Sequence, residues 1–146
     1  LTVAGEAKNV VVIGKGNSDL DAYLDRALTA QNRVASNEPT PEKGYYYRSD
    51  HFSLAKQGVP MLYFEGGEDF VNGGTAAGEA AAADYTANRY HGPKDEYSEA
   101  WDWKGILSDL KLYNRVGRDL AETSDWPNWK DGDEFRGIRD KSRSGQ

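Results

Sequence analysis

Apolar residues gather in two short continuous runs and two helical stripes, and the segments between them are polar. Val10-Val11-Val12-Ile13, closed by Gly14, is an unbroken β-branched run, the pattern of a strand buried on both faces. Gly14-Lys15-Gly16-Asn17 breaks it. Ser18 is then placed to cap a helix whose first turn holds Asp19 and Asp21, where negative charge suits the helix dipole. Leu20, Tyr23, Leu24, Ala27 and Leu28 recur at helical spacing and predict an amphipathic helix over 19–33. Strand, turn and helix make an α/β opening.

Residues 35–44 carry Pro39, Pro41 and Gly44 among polar neighbours and read as a surface loop. Tyr45-Tyr46-Tyr47 leads into Arg48-Ser49-Asp50-His51, and Phe52 to Gln57 predicts a short helix stopped by Gly58. After Val59-Pro60, Met61-Leu62-Tyr63-Phe64 predicts a second strand, ended by Gly66-Gly67. Glycine and alanine dominate 65–89, with a helix expected only from the Ala80–Ala83 run to Asn88. His91-Gly92-Pro93-Lys94-Asp95 is a turn. A last helix is predicted over 104–122 with Ile106, Leu107, Leu110, Tyr113, Val116 and Leu120 facing inward. Two units follow from this pattern: 1–124, and an aromatic-containing tail, 125–146. In the tail Trp126, Trp129 and Phe135 could dock, while 139–146 should fray.

Composition narrows the functional classes. A net charge of -6, with a pI near 4.9, argues against a nucleic-acid partner, whose phosphates demand a basic face. Mean hydropathy is -0.81, and no apolar run approaches the roughly 20 residues that span a bilayer. Cysteine is absent, which excludes disulfides, thiolate metal sites and a thiol nucleophile. Leu1 to Gly5 shows neither an initiator Met nor the basic-then-apolar order of a signal peptide, so something upstream is expected to be missing.

The chemistry-bearing residues are few. His51 and His91 are the only histidines, and a lone histidine is more often structural or solvated than functional. His91 sits between Tyr90 and Gly92-Pro93, on a turn that could aim an imidazole into a cleft, where a neutral ring would suit zinc. Asp95 could orient that ring or cap the chain from Tyr97 onward, the cap being the preferred expectation. Ser49-Asp50-His51 holds the residue types of a hydrolase triad, but adjacent residues cannot form one, and no Gly-x-Ser-x-Gly elbow is present. Capping of the helix that starts near Phe52 competes with a pocket role for Ser49 and Asp50. Gly14-Lys15-Gly16 lacks the third glycine of a dinucleotide loop and the ending of a P-loop, which leaves a plain turn.

Taken in order, Tyr45 to Pro60 resembles the Ser-Asp-His, helix, Gly-Val-Pro, strand passage of the M28 family of zinc metallopeptidases. Arg89-Tyr90-His91-Gly92-Pro93-Lys94-Asp95-Glu96-Tyr97 resembles that family's Tyr-His-x-Pro-x-Asp turn. Val10 to Leu28 is similar to the preceding family segment, and Trp126 to Arg139 to the tail of its bacterial members. Either motif alone is weak; both in order, about forty residues apart, are specific.

The resemblance implies the C-terminal portion of a catalytic domain with the α/β zinc-aminopeptidase (phosphorylase/hydrolase-like) fold. Such a portion would be a partial mixed β-sheet flanked by helices, its N-terminal half missing. It implies an enzyme that removes N-terminal residues from peptide substrates with two zinc ions. The metals lower the pKa of a shared water and polarise the scissile carbonyl, while a glutamate serves as general base. His91 would be a metal ligand and Tyr90 a catalytic donor to the oxyanion. Tyr46, Ser49 and Asp50 would bind substrate, with His51 in support. The family's His-x-Asp pair, Glu-Glu pair and Asn-x-Asp ligand are not identifiable here. At most one partial zinc site is therefore expected, and an inactive isolated chain. The apolar faces of Val10–Ile13 and Met61–Phe64 would then lie uncovered, favouring self-association. By the same resemblance the full-length enzyme would be secreted or periplasmic. Two competing readings remain. One is a glutaminyl-cyclase-like acyltransferase, which shares the fold but carries tryptophan where Tyr90 stands. The other is a non-catalytic binding module on the same fold.

Overall fold

Strands β1 (Asn9–Ile13), β2 (Val34–Asn37) and β3 (Tyr63–Gly66) form a mixed sheet ordered β2-β1-β3. The computed structural model describes residues 3–145. Leu1 and Thr2 at the start and Gln146 at the end of the expected fray lie outside the described residues. β1 runs parallel to β2, with Asn9 opposite Val34, and antiparallel to β3, with Val12 opposite Phe64. The parallel pair is joined by α1 (Leu20–Ala30), as a parallel connection requires a crossover.

Val10, Val12 and Phe64 point to the face covered by α1 and by α4 (Trp103–Ala121). Leu20, Tyr23, Leu24, Ala27 and Leu28 from α1 meet Leu112 and Val116 from α4 there. Each such fully buried Leu or Val is worth about 1.5–3 kcal/mol relative to exposure. Val11 and Ile13 are buried too, at 8% and 2% exposure, so both faces of β1 are closed within this chain. The expectation of an uncovered Val10–Ile13 face is corrected accordingly.

Several boundaries differ from the sequence reading, each for a physical reason. β2 lies partly inside the stretch read as a loop, because Val34-Ala35-Ser36-Asn37 has one large apolar residue and sits at a sheet edge. α3 spans Gly74–Asn88, longer than expected. Gly78 inside it packs on the Glu68 backbone so closely that a Cβ would lie 2.0 Å from the Glu68 oxygen. The glycine that looks like a breaker is the one that permits the contact. On α4 the buried residues include Ile106, Asp109, Leu112 and Val116, whereas Leu107, Leu110 and Tyr113 are exposed by 51, 47 and 41%. An aspartate occupies a core position, which disguised the true stripe. Tyr113 still closes part of the outer edge of β3: its ring stacks on Phe64 at 4.3 Å and its hydroxyl donates to the Phe64 carbonyl at 2.6 Å.

The tail folds back on the domain. Trp129 is fully buried and Phe135 nearly so, Trp126 lies exposed under Arg143, and α5 (Arg136–Arg143) extends through part of the stretch expected to fray. Asp19, not Ser18, takes the N-cap position of α1 and caps it with no side-chain bond. Ser18 accepts from Leu20 N at 3.2 Å in a local turn, and the Asp19 carboxylate holds Asn128 N and Lys130 Nζ of the tail.

Candidate functional site

Two turns carry the candidate residues. The first follows a single-turn 3-10 helix, Tyr45–Arg48, and runs through Ser49 and Asp50 into the short α2 (His51–Ala55). Asp50 is the residue before the helix, yet its side chain caps nothing; Phe52 N and Ser53 N bond to the Ser49 and Asp50 backbone oxygens instead. Capping therefore does not account for either side chain, and the Asp50 carboxylate is exposed. Gly58 ends the segment at φ +81, its N–H bonded to the Ala55 oxygen at 2.8 Å.

Tyr46 packs edge-on against His51, centroids 5.0 Å apart, and its ring lies where a Cβ on Gly14 would come within 2.8 Å. Burial first, then the nearby Asp133 carboxylate, pushes the Tyr46 phenol up to about 12. His51 sits between Tyr46 and Tyr63, and both of its ring nitrogens are buried without a hydrogen-bond partner among the described residues. Burial holds this imidazole below its ordinary value of 6.5. A lowered folded-state value means that the unfolded chain takes the proton first. The His51 contribution to stability is thus complete above pH 6.5 and lost as pH falls from there through the folded-state value. Thermal melts of the native chain and of His51→Phe at pH 7.5 and 5.5 should show a smaller acid-side drop in the variant.

The second turn ends α3. Gly92 N bonds to the Arg89 oxygen at 2.8 Å, which makes Tyr90 and His91 the central pair of a β-turn. His91 has φ +55, a left-handed conformation that glycine or asparagine ordinarily supplies. Its ring stacks on Tyr90, centroids 4.0 Å apart and planes 23° from parallel, and both residues are exposed. Asp95 neither orients His91 nor caps a helix; its carboxylate accepts the Tyr85 hydroxyl at 2.7 Å. The expected Asp95 cap is corrected by that bond.

Tyr63, which the sequence offered only as a strand residue, packs against the first turn. Its ring is 5.3 Å from His51. Burial raises its phenol first, followed by the fields of Glu65, Glu38, Tyr45 and Tyr90. The Tyr45–His51 segment therefore lies against the start of β3, and the Tyr90–His91 turn makes its ring contacts with Tyr85 of α3. Neither of two open depressions, one between Tyr23 and Asp125 and one between Gln31 and Lys111, includes these residues. Position, not side-chain type, marks Tyr63: it opens the strand that directly follows Gly58-Val59-Pro60.

Both turns lie within the span matched by the family model for peptidase family M28, residues 1–111. The chain belongs to peptidase family M28. No curated protein and no solved structure matches it. As an M28 domain it is of a metal-dependent peptidase type, on a mixed α/β framework. The residues present fit one donor to such a metal. His91 presents an exposed imidazole held in an uncommon backbone conformation, and its ring makes no hydrogen bond among the described residues. No three His, Cys, Asp or Glu side chains converge as a ligand set among the described residues. The rest of a metal centre is not built from them.

Proposed function

We propose that this chain forms one side of a zinc aminopeptidase site, with His91 as a zinc ligand and the other donors on residues outside these 146. The observation that carries the reading is the left-handed His91 on the M28-matched turn. A non-glycine residue in that conformation costs about 1–2 kcal/mol, and such strain persists where the surroundings or the function demand it. Zinc, when bound, supplies Lewis acidity and lowers the pKa of a coordinated water.

The chain's own residues do the rest of the work on this side. The stacked Tyr90 ring limits rotation of His91, and its hydroxyl donates to the oxygen that gains charge as the carbonyl is attacked. Ser49 and Asp50 face the substrate from the opposite turn, the exposed Asp50 carboxylate suiting a peptide's ammonium group. Tyr46 and His51 hold that turn from behind. A family-type general base would come from the rest of the domain. The exposed apolar residues Trp103, Leu107 and Leu110 of α4 are a surface on which it would pack.

Zinc stoichiometry with the reaction catalysed tests the reading. The full enzyme should hold two zinc ions per chain and hydrolyse an aminoacyl-nitroanilide, whereas residues 1–146 alone should do neither. One zinc with pyroglutamate formation would favour the cyclase alternative, and no zinc the binding module. Robust turnover by the isolated chain would overturn the placing of the remaining donors elsewhere.

A further inference from the structure

We propose that the tail, through Trp129, is a positioning element that fixes the Ser49–His51 turn, although it lies beyond the family-matched span. Trp129 is completely buried, among Ala55 of α2 and Phe135, and its indole N–H donates to the Gly58 carbonyl at 3.0 Å. One side chain thus touches both the body of α2 and the turn that ends it. The tail backbone crosses at the same point. A Cβ on Gly58 would stand 2.7 Å from Arg139 N and 3.0 Å from its Cα, so the middle of α5 rests on this glycine.

From the tail, an unbroken series of ring contacts leads to the candidate site. Trp129 meets Phe135 at 5.3 Å, Phe135 meets Phe52 at 5.9 Å, and Phe52 meets Tyr46 at 6.0 Å. Tyr46 then meets His51 at 5.0 Å, and His51 meets Tyr63 at 5.3 Å. The tail's Asp133 also lies close enough to Tyr46 to act on its phenol. A second attachment holds the loop after β1: Trp129 bridges to Ser18, Lys130 N bonds to the Asn17 oxygen, and Lys130 Nζ pairs with Asp19 at 2.6 Å.

α2 needs such support. It has five residues, no side-chain cap, and a single buried residue, Ala55, which lies in the Trp129 cluster. A helix of one turn does not hold itself in water. The large core between α1 and α4 is a separate cluster that includes none of these residues. Tail and turn therefore form one mechanical unit, distinct from the main core. A site displaced by about 1 Å loses on the order of 10²-fold in rate, so a brace of this kind matters to catalysis. That consequence rests on the peptidase reading; the coupling of Trp129 to His51 does not.

The test is histidine ring NMR on the whole chain, with His91 as the internal control. In Trp129→Phe, which keeps a ring but loses the bond to Gly58, the His51 ring signals should shift while the His91 signals and the Leu24, Leu28 and Leu112 methyls stay in place. Trp129→Ala should shift and broaden His51 further. An unmoved His51 in a folded Trp129→Phe chain would overturn the proposal. So would methyl shifts in the main core as large as those of His51, since the tail would then act on the fold as a whole. If Trp129→Ala unfolds, Trp129→Phe and Phe135→Leu decide the matter between them. Absence of peptidase activity in the full enzyme, with His51 still responding, would count against the enzymatic reading and leave the brace standing.

Discussion

Asp109→Ala should cost about 3–5 kcal/mol of folding stability, the penalty of leaving a buried charge without its partner. Arg33 and Asp109 are each 4% exposed at the side chain and meet at 2.8 Å, an ionic contact rather than a well-aligned hydrogen bond. Arg33 also donates to the Asn9 oxygen at 3.0 Å and, at 3.3 Å, to Ser108 and Gln31. It therefore ties β1, the end of α1 and the middle of α4 to one guanidinium. With the carboxylate removed, that guanidinium keeps its neutral acceptors but loses its only counter-charge among the described contacts. Urea unfolding of Asp109→Ala should show the midpoint falling without a change in slope. Replacing both members, Arg33→Met with Asp109→Leu, should recover most of the loss, because an apolar pair of similar volume needs no compensation. A double variant as unstable as the single one would mean that the Asn9, Ser108 and Gln31 bonds, not the ion pair, carry the effect.

The same pair explains what the pattern of the chain hid. Periodicity located α4 but rotated it, because a core position filled by aspartate reads as surface until its arginine is known. β1, α1 and the Gly58 stop were legible from apolar runs and a left-handed glycine, which are local signals. β2 was not. Its hydrogen bonds come from β1, twenty-odd residues away in sequence, and its side chains need no apolar pattern at an edge. α3 was shortened by Gly78, whose use is close approach to Glu68, a contact no local window contains.

At the candidate site, the motifs placed Tyr46, Ser49, Asp50, Tyr90 and His91 on turns, and both turns lie in the matched span. What stayed illegible was everything that depends on distance through space. Tyr63 packs on His51 of the first turn, and Trp129 braces that turn from the far end of the chain. The His91 conformation was also out of reach, since a His-Gly pair suggests that the glycine takes the positive φ. The structure assigns it to the histidine. A backbone strained at the proposed ligand, with a glycine beside it that would have been the easier choice, is where fold economy and the proposed function pull apart.

That separation gives the second large effect. In the active enzyme, His91→Ala and His91→Gly should both remove the ligand and take hydrolysis to the detection limit. Their stabilities should diverge. Alanine inherits the left-handed strain, whereas glycine relieves it, and relief of about 1–2 kcal/mol exceeds the roughly 0.5–1 kcal/mol of extra chain entropy that glycine loses. Because the His91 ring is exposed and bonded to nothing described, little packing is lost in either case. His91→Gly should therefore melt at or slightly above the native chain, and His91→Ala below it. Tyr90→Phe separates the neighbouring role. The ring stack on His91 survives, only the hydroxyl goes, and kcat should fall by about 10²–10³-fold with KM little changed, as for loss of one oxyanion donor. A matching loss in Tyr90→Phe of zinc content would instead place the hydroxyl in support of the metal ligand. Full activity in both His91 variants would remove the metal-ligand role, and with it the reading of the turn as catalytic.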